Sequence, residues 1–414
     1  MPPYDFQRNL EKYAQVLVKI GLNVQPGQRV LISGAPPGAV QMVRAVAAQA
    51  YQAGARYVDV FWNDEQLDLI RFQHAPRDSF EEYPTWRTEV AVASAARGDA
   101  FLSLSALTPD LLRGQDPELV AIAQRVSAQY RKPVIDIAIK NVTNWLVACA
   151  PVAGWSAKVL PNVPPEQREQ QMWDVLFKIC RIDQEDPVAG WRTHIRALLE
   201  RSAYLIHKRY TALRYNGPGT NLTVGLPEGH LWCGAEEMSQ NGITFTANIP
   251  TEEVFTMPHK DRINGVVSGT KPLNMPSGVL IEDFSLTFKA GHVINSTARV
   301  GEDALRSFLA LDEGARSLGE VALVPHSSPI SQSGLLFYNG LLDENAACHL
   351  ALGAAYPNSY QGGPGMSDEE FAAVGGNQSM VHLDFMIGSG QLDVDGIREG
   401  DIREPILRAG EWAF

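Results

Sequence analysis

At 414 residues the chain is too long for one small core, and two domains are expected. Hydrophobic residues make up 45% and charged residues 20%, which places it among ordinary globular proteins. The net charge of −12 argues against non-specific nucleic-acid binding, which depends on basic patches.

The first 150 residues alternate between helical and strand periods. Leu10, Tyr13, Ala14, Leu17 and Ile20 recur at helical spacing, with Gly21 as a stop. A turn and a short buried strand follow at Val30–Ser33. The stretch VQMVRAVAAQAYQAGA predicts a second helix ended at Gly54, and RYVDVFW a strand. Helix, strand, helix and strand are then expected at YPTWRTEVAVASAARGD, AFLSLSA, PELVAIAQRVSAQY and NWLVACA. This alternation predicts an open parallel sheet flanked by helices. The loop GAPPGAV after the first strand lacks G-x-G-x-x-G, and prolines stand where amides would cradle a phosphate, so dinucleotide binding is not expected.

From Pro161 to Arg209 the pattern is helical and reads as a bridge. Beyond Tyr210 the runs NLTVGL, GITFTANI, GVVSGT, GVLIEDFSLTFKAGHVI and STARV are short, β-branched and broken by Gly and Pro. They predict an antiparallel β-rich domain. ALRSFLALDEGARSLGE and DENAACHLALGAAY read as helical interruptions, and MVHLDFMIGS as the closing strand. The expected class is thus α/β plus α+β, with an N-terminal α/β domain and bridge over 1–205 and a β-rich domain over 206–414.

The first 22 residues carry no basic region leading into an apolar run and a small-residue cleavage site, so no signal peptide is expected. No run reaches the ~18 uninterrupted apolar residues of a membrane helix. Cys149, Cys180, Cys233 and Cys348 are far apart and form no C-x-x-C pair, which argues against a zinc knuckle or disulfide framework. A cytoplasmic protein with free thiols is the consistent expectation.

Acids and histidines gather in four places of the second half. His382 and Asp384 alternate in one strand and share a face, a compact offer to a metal. From that pair alone a plain surface His–Asp hydrogen bond is the more ordinary reading. His349 and Tyr356 lie seven apart, two turns of the expected helix. Asp343 and Glu344 sit at its first turn, where acids also favour the helix dipole. Glu320 enters the buried run VALVP, where an unpaired acid is costly. Glu252 and Glu253 are adjacent, so they cannot both face one site. His230, His259, His292 and His326 have turn-like flanks and read as solvated. Together, two histidines and up to four carboxylates suffice for two metal ions with shared carboxylates.

At these residues the chain resembles the M29 metallo-aminopeptidases, the aminopeptidase T/S or thermophilic metalloprotease family. The resemblance rests on GLPEGHLW, NIPTEEVFTMPHK, GEVALVPHSSPIS, FYNGLLDENAACHLALGAAYP and VHLDFMIGS. GLNVQPGQRVLI and AYQAGARYVDVFWND extend it to the N-terminal half. It implies two divalent cations (zinc, cobalt or manganese) held by Glu253, Glu320, His349, His382 and Asp384, with Glu344 a further ligand or the base. The choice of Glu253 over Glu252 rests on the resemblance alone. Tyr356 would face the site as a catalytic phenol, and Asp343 would cap the helix. The implied reaction is release of the first residue of a peptide with a free amino terminus, by a homodimer. A metal-dependent hydrolase of another small amide or ester, and a non-catalytic binding protein, are the alternatives.

Overall fold

The computed structural model describes residues 6–275 and 278–414. The chain divides into two compact units. One runs up to His194 and takes in Glu236–Pro250; the other comprises Ile195–Ala235 and Thr251–Phe414.

In the first unit β1 (Arg29–Ala35), β2 (Tyr57–Trp62), β3 (Ala100–Ser105) and β4 (Trp145–Cys149) form a parallel sheet in the order β4-β3-β1-β2. Val30, Leu31 and Ile32 of β1 are buried in succession, as a strand covered on both faces requires. The crossover helix Val40–Gln52 buries Met42, Val43, Val46 and Ala50 at helical spacing. It stops ahead of Gly54, whose φ of 93° suits a residue without a Cβ. The first helix, expected to run on to Ile20, is α-helical over Phe6–Val16 and then widens into π-type turns over Leu17–Gly21. The helix Pro117–Ile139 outlasts its expected end and continues through Pro133. One further strand, Asn248–Ile249, pairs in parallel with β4 and completes that edge. The segment read as a helical bridge contains the helices Pro165–Ile179 and Pro187–Lys208.

The second unit holds two antiparallel sheets. The larger includes Ala212–Gly217, Thr220–Gly225, Ile263–Ser268, Leu280–Lys289 and His292–Val300. The expected closing strand is not the last: Asp393–Arg398, Ile402–Arg408 and Glu411–Trp412 follow and join this sheet. Their charged outward positions hide the apolar alternation, although Val394, Ile406 and Leu407 are fully buried. The smaller sheet comprises β5 (Cys233–Gly234), β6 (Val254–Thr256), β7 (Leu318–Leu323), β8 (His349–Gly353) and β9 (His382–Met386), in the order β9-β8-β7-β6-β5.

Two helical expectations do not hold. The helix at 304–320 covers Glu302–Leu309, and the chain then enters β7. The stretch Asp343–Tyr356 is helical only in the short helix Gly340–Glu344 that it closes; from His349 it is β8, fully buried and paired on both sides. Its Ala and Leu content favours a helix locally, but pairing to two neighbours decides the outcome.

Candidate metal centre

The two faces of the smaller sheet divide its residues by alternation. Val254, Val321, Leu323, Leu350, Leu352, Leu383 and Phe385 face the apolar core of the unit. The residues between them face the other way. The cross-strand pairs Glu320–Ala351 and Ala351–Asp384 put two carboxylates on one row with a single methyl between them. Likewise Ala322 stands between Phe255 and His349, and Gly353 faces His382. Small residues thus leave room for the long ones.

A bulge re-aims β7. Leu318 opposes Leu352 and Glu320 opposes Ala351, so Gly319 is the extra residue. Leu318 therefore faces the core while Glu320, two residues on, faces the site. A Cβ at Gly319 would stand 2.3 Å from the Ala354 carbonyl oxygen, so only glycine fits.

The site-facing side chains converge. His349 Nε2 lies 3.1 Å from Glu253 Oε2 and 3.3 Å from Glu320 Oε1. His382 Nε2 lies 3.6 Å from Glu320 Oε2 and 3.3 Å from Asp384 Oδ1. Two groups result, Glu253–Glu320–His349 and Glu320–His382–Asp384, each with ligand atoms within 4.8 Å of one another. Glu320 belongs to both, one oxygen to each. The rings are oriented from behind: His349 Nδ1 is 3.1 Å from the Ala347 carbonyl and His382 Nδ1 is 2.7 Å from that of Ala354. A carbonyl only accepts, so Nδ1 carries the proton and Nε2 is presented to the acids.

Divalent metal suits this donor set on three counts. Glu253 Oε2 and Asp384 Oδ1 are buried with no aligned hydrogen bond, although each lies near an imidazole. Ligands about 2.0–2.1 Å from a tetrahedral ion are separated by about 3.3–3.4 Å, close to the spacings here. Carboxylate oxygen with imidazole nitrogen is chemistry that zinc and neighbouring divalent ions accept.

Charge is concentrated as well. Burial raises the Glu320 carboxyl, and burial together with Glu253 and Asp384 raises that of Glu344 well above its ordinary range. Burial alone would drive both imidazoles neutral, but the acids outweigh it. His349 is raised well above its ordinary value by Glu253 and Glu320, and His382 to about 9 chiefly by Asp384. Asp384 is itself held low by His382 in spite of burial. Tyr356 is pushed well up by burial and then by Glu320 and Asp384, so it stays a phenol. Its ring lies 4.6 Å from that of His382 and 6.3 Å from that of Phe255.

Glu253, Glu320, Glu344, His349, Tyr356, His382 and Asp384 are thus all brought to one place, though His349 and Tyr356 arrive on a strand and the turn after it. Asp343 is not there and does not cap a helix. Its carboxylate accepts from the amides of Phe337 (2.8 Å) and Asn339 (3.0 Å), and burial pushes it up to about 6. Glu252 belongs to neither ligand group, and its backbone amide donates to Asn345 Oδ1. Cys348, beside His349, exchanges hydrogen bonds with the Val324 backbone and is pushed up to about 11 by burial. Of the histidines read as solvated, His230 is half-buried with Nδ1 on the Pro227 carbonyl, and burial lowers its proton affinity. Gly319 and Asn345 carry no expectation from the sequence. A glycine before an acid in a strand, and an amide beside an acid in an apolar run, are the signals that could have found them.

The family model of the thermophilic metalloproteases (M29) matches residues 6–412. Aminopeptidase 2 of Geobacillus stearothermophilus is 48% identical over 413 residues, covering 99% of this chain and 98% of that protein. Aminopeptidase T of Thermus thermophilus is 44% identical over 407 residues, 98% and 99% of the two chains. The solved structure of wild-type AmpT from Thermus thermophilus matches with a TM-score of 0.94 at 41% identity, covering 99% of this chain and all of that one.

Proposed function

The chain belongs to the thermophilic metalloprotease family M29, and from that premise we propose that it is a metal-dependent aminopeptidase working through two divalent cations. The observation that carries the two-cation reading is the sharing of Glu320 between two ligand groups. Glu253, Glu320 and His349 would hold one ion, and Glu320, His382 and Asp384 the other, with Glu344 beside both. Zinc, cobalt or manganese fits these donors. When bound, such ions polarise the scissile carbonyl and lower the pKa of a bound water.

The chain's own groups supply the rest. Burial and neighbouring acids give Glu344 a raised proton affinity, which suits a group that takes a proton from water and passes it to the leaving amine. Tyr356, held as a phenol, can donate to the oxyanion that forms on the carbonyl. The surrounding carboxylates favour a substrate whose positive amino terminus enters first. The working protein is proposed to be a cytoplasmic homodimer acting on peptides, without nucleic acid or membrane. Among the described residues no helix is long and apolar enough to cross a bilayer.

The test is a panel of aminoacyl chromogenic substrates and short peptides. Chelator-treated protein should be inactive and regain activity with Co²⁺, Zn²⁺ or Mn²⁺, shortening peptides one residue at a time. N-acetylated peptides should be inert. Full activity in protein shown by elemental analysis to be metal-free would sink the metal reading. Restored metal without release from any free amino terminus would point to another amide or ester substrate.

A further inference from the structure

Between Glu344 and the small residues that follow lies Asn345, wholly buried and the residue that caps the end of the short helix Gly340–Glu344. Its side chain offers one acceptor and two donors, and its surroundings use all three. Oδ1 accepts from the Glu252 amide at 2.7 Å. Nδ2 donates to the Leu341 carbonyl at 2.9 Å and to Glu344 Oε1 at 3.3 Å. Those partners, one N–H and two oxygens, also fix which end of the amide is which. An aspartate lacks the donors, and an alanine leaves all three partners unmet.

Both tethered segments matter to the site. The Glu252 amide belongs to the residue before Glu253, so it sets where β6 begins and where that carboxylate stands. The bond to Glu344 holds Oε1 and so fixes the orientation of its carboxylate. We infer that Asn345 is a positioning residue that couples the backbone carrying Glu253 to the orientation of the Glu344 carboxylate. This rests on the aminopeptidase reading for its catalytic half, because Glu344 is the proton carrier there. Its other half concerns cation binding and stands without turnover.

The two bonds separate by substitution. Asn345→Asp keeps the acceptor for the Glu252 amide but loses both donors and sets a carboxylate against Glu344. It should bind Co²⁺ at least as tightly as the unaltered protein, while kcat falls about 10–100-fold and KM stays within about twofold, as expected for a displaced catalytic group. Asn345→Ala loses both bonds and should weaken Co²⁺ binding about tenfold or more as well. Co²⁺ is titrated into chelator-treated protein, following its visible absorption, and circular dichroism checks the fold. In a Glu344→Gln background Asn345→Asp should add little to the loss of kcat, because the group it positions has gone. Unchanged kcat in Asn345→Asp, or an equal fall in both backgrounds, overturns the coupling to Glu344. Unchanged Co²⁺ affinity in folded Asn345→Ala overturns the coupling to Glu253. Should the unaltered protein release no amino acid from any peptide, the functional reading fails, and the Co²⁺ titrations still decide the tether to Glu253.

Discussion

Raising the pH from 6.5 to 9 should pull chelator-treated and cation-loaded protein apart. His382 carries a proton up to about 9, against an ordinary 6.5, because Asp384 and Glu320 outweigh its burial. A proton held more tightly in the fold than in the unfolded chain stabilises the fold. That contribution is complete below 6.5 and lost as the pH rises through 9. The difference corresponds to about 3 kcal/mol for this ring alone. Cation binding needs the same Nε2 unprotonated, and below about 9 the ring holds its proton. Cation affinity should therefore rise about tenfold per pH unit for each proton displaced, levelling off near 9. His349, also raised, adds a second proton. Melting temperatures of the two forms, read by calorimetry across this range with Co²⁺ in fixed excess, should show a gap that widens with pH. Titrations in buffers of different ionisation enthalpy at pH 7 should report at least one proton released. A gap independent of pH, with no proton released, would refute the pairing of His382 with Asp384 at the cation site.

Because His382 and Asp384 would share one ion, His382→Ala and Asp384→Ala should each abolish most activity and one equivalent of metal, and the double variant should lose little more. Additive losses in a double-mutant cycle would separate them. Glu344→Gln should keep its metal by elemental analysis yet lose about 10²–10⁴-fold in kcat, as general bases do, whereas His349→Ala should shed an ion. Metal loss in Glu344→Gln would make Glu344 chiefly a ligand. Tyr356→Phe should retain metal and lower kcat more than it raises KM. Gly319→Ala drives a methyl to 2.3 Å from the Ala354 carbonyl and must shift the bulge that aims Glu320. It should cost about 1–3 kcal/mol of stability in thermal melts and weaken Co²⁺ binding; a variant with unaltered melting and affinity would show the bulge to be dispensable.

The first 150 residues are legible in the sequence because short strands, β1 among them with an unbroken buried apolar run, alternate with helices of clear period. The proposed ligands are legible for a different reason. His382 and Asp384 keep strict alternation with Val381, Leu383 and Phe385, and Glu320 is an acid inside a buried run. Two things stay hidden. Ala and Leu in β8 have helical propensity, and nothing local announces that two neighbouring strands will claim them. The bulge at Gly319 breaks the period of two, so the opposite facing of Leu318 and Glu320 cannot be read from spacing. Asn345 beside Glu344 is a local signal, but what it ties together is not, since its partner at Glu252 is brought near only by folding.

The strand Asn248–Ile249 has a consequence for synthesis. It pairs with Val147 and Ala148 of β4, about 100 residues earlier, after the chain has left the first unit and come back to it. At roughly 5–20 residues per second a ribosome needs roughly 5–20 s to deliver it. During that interval the outer edge of β4 presents unpaired amides and carbonyls, the kind of edge that recruits other chains. A nascent chain that stalls near Ala235 would hold that edge open for as long as the stall lasts, so the risk of association during translation falls on this interval.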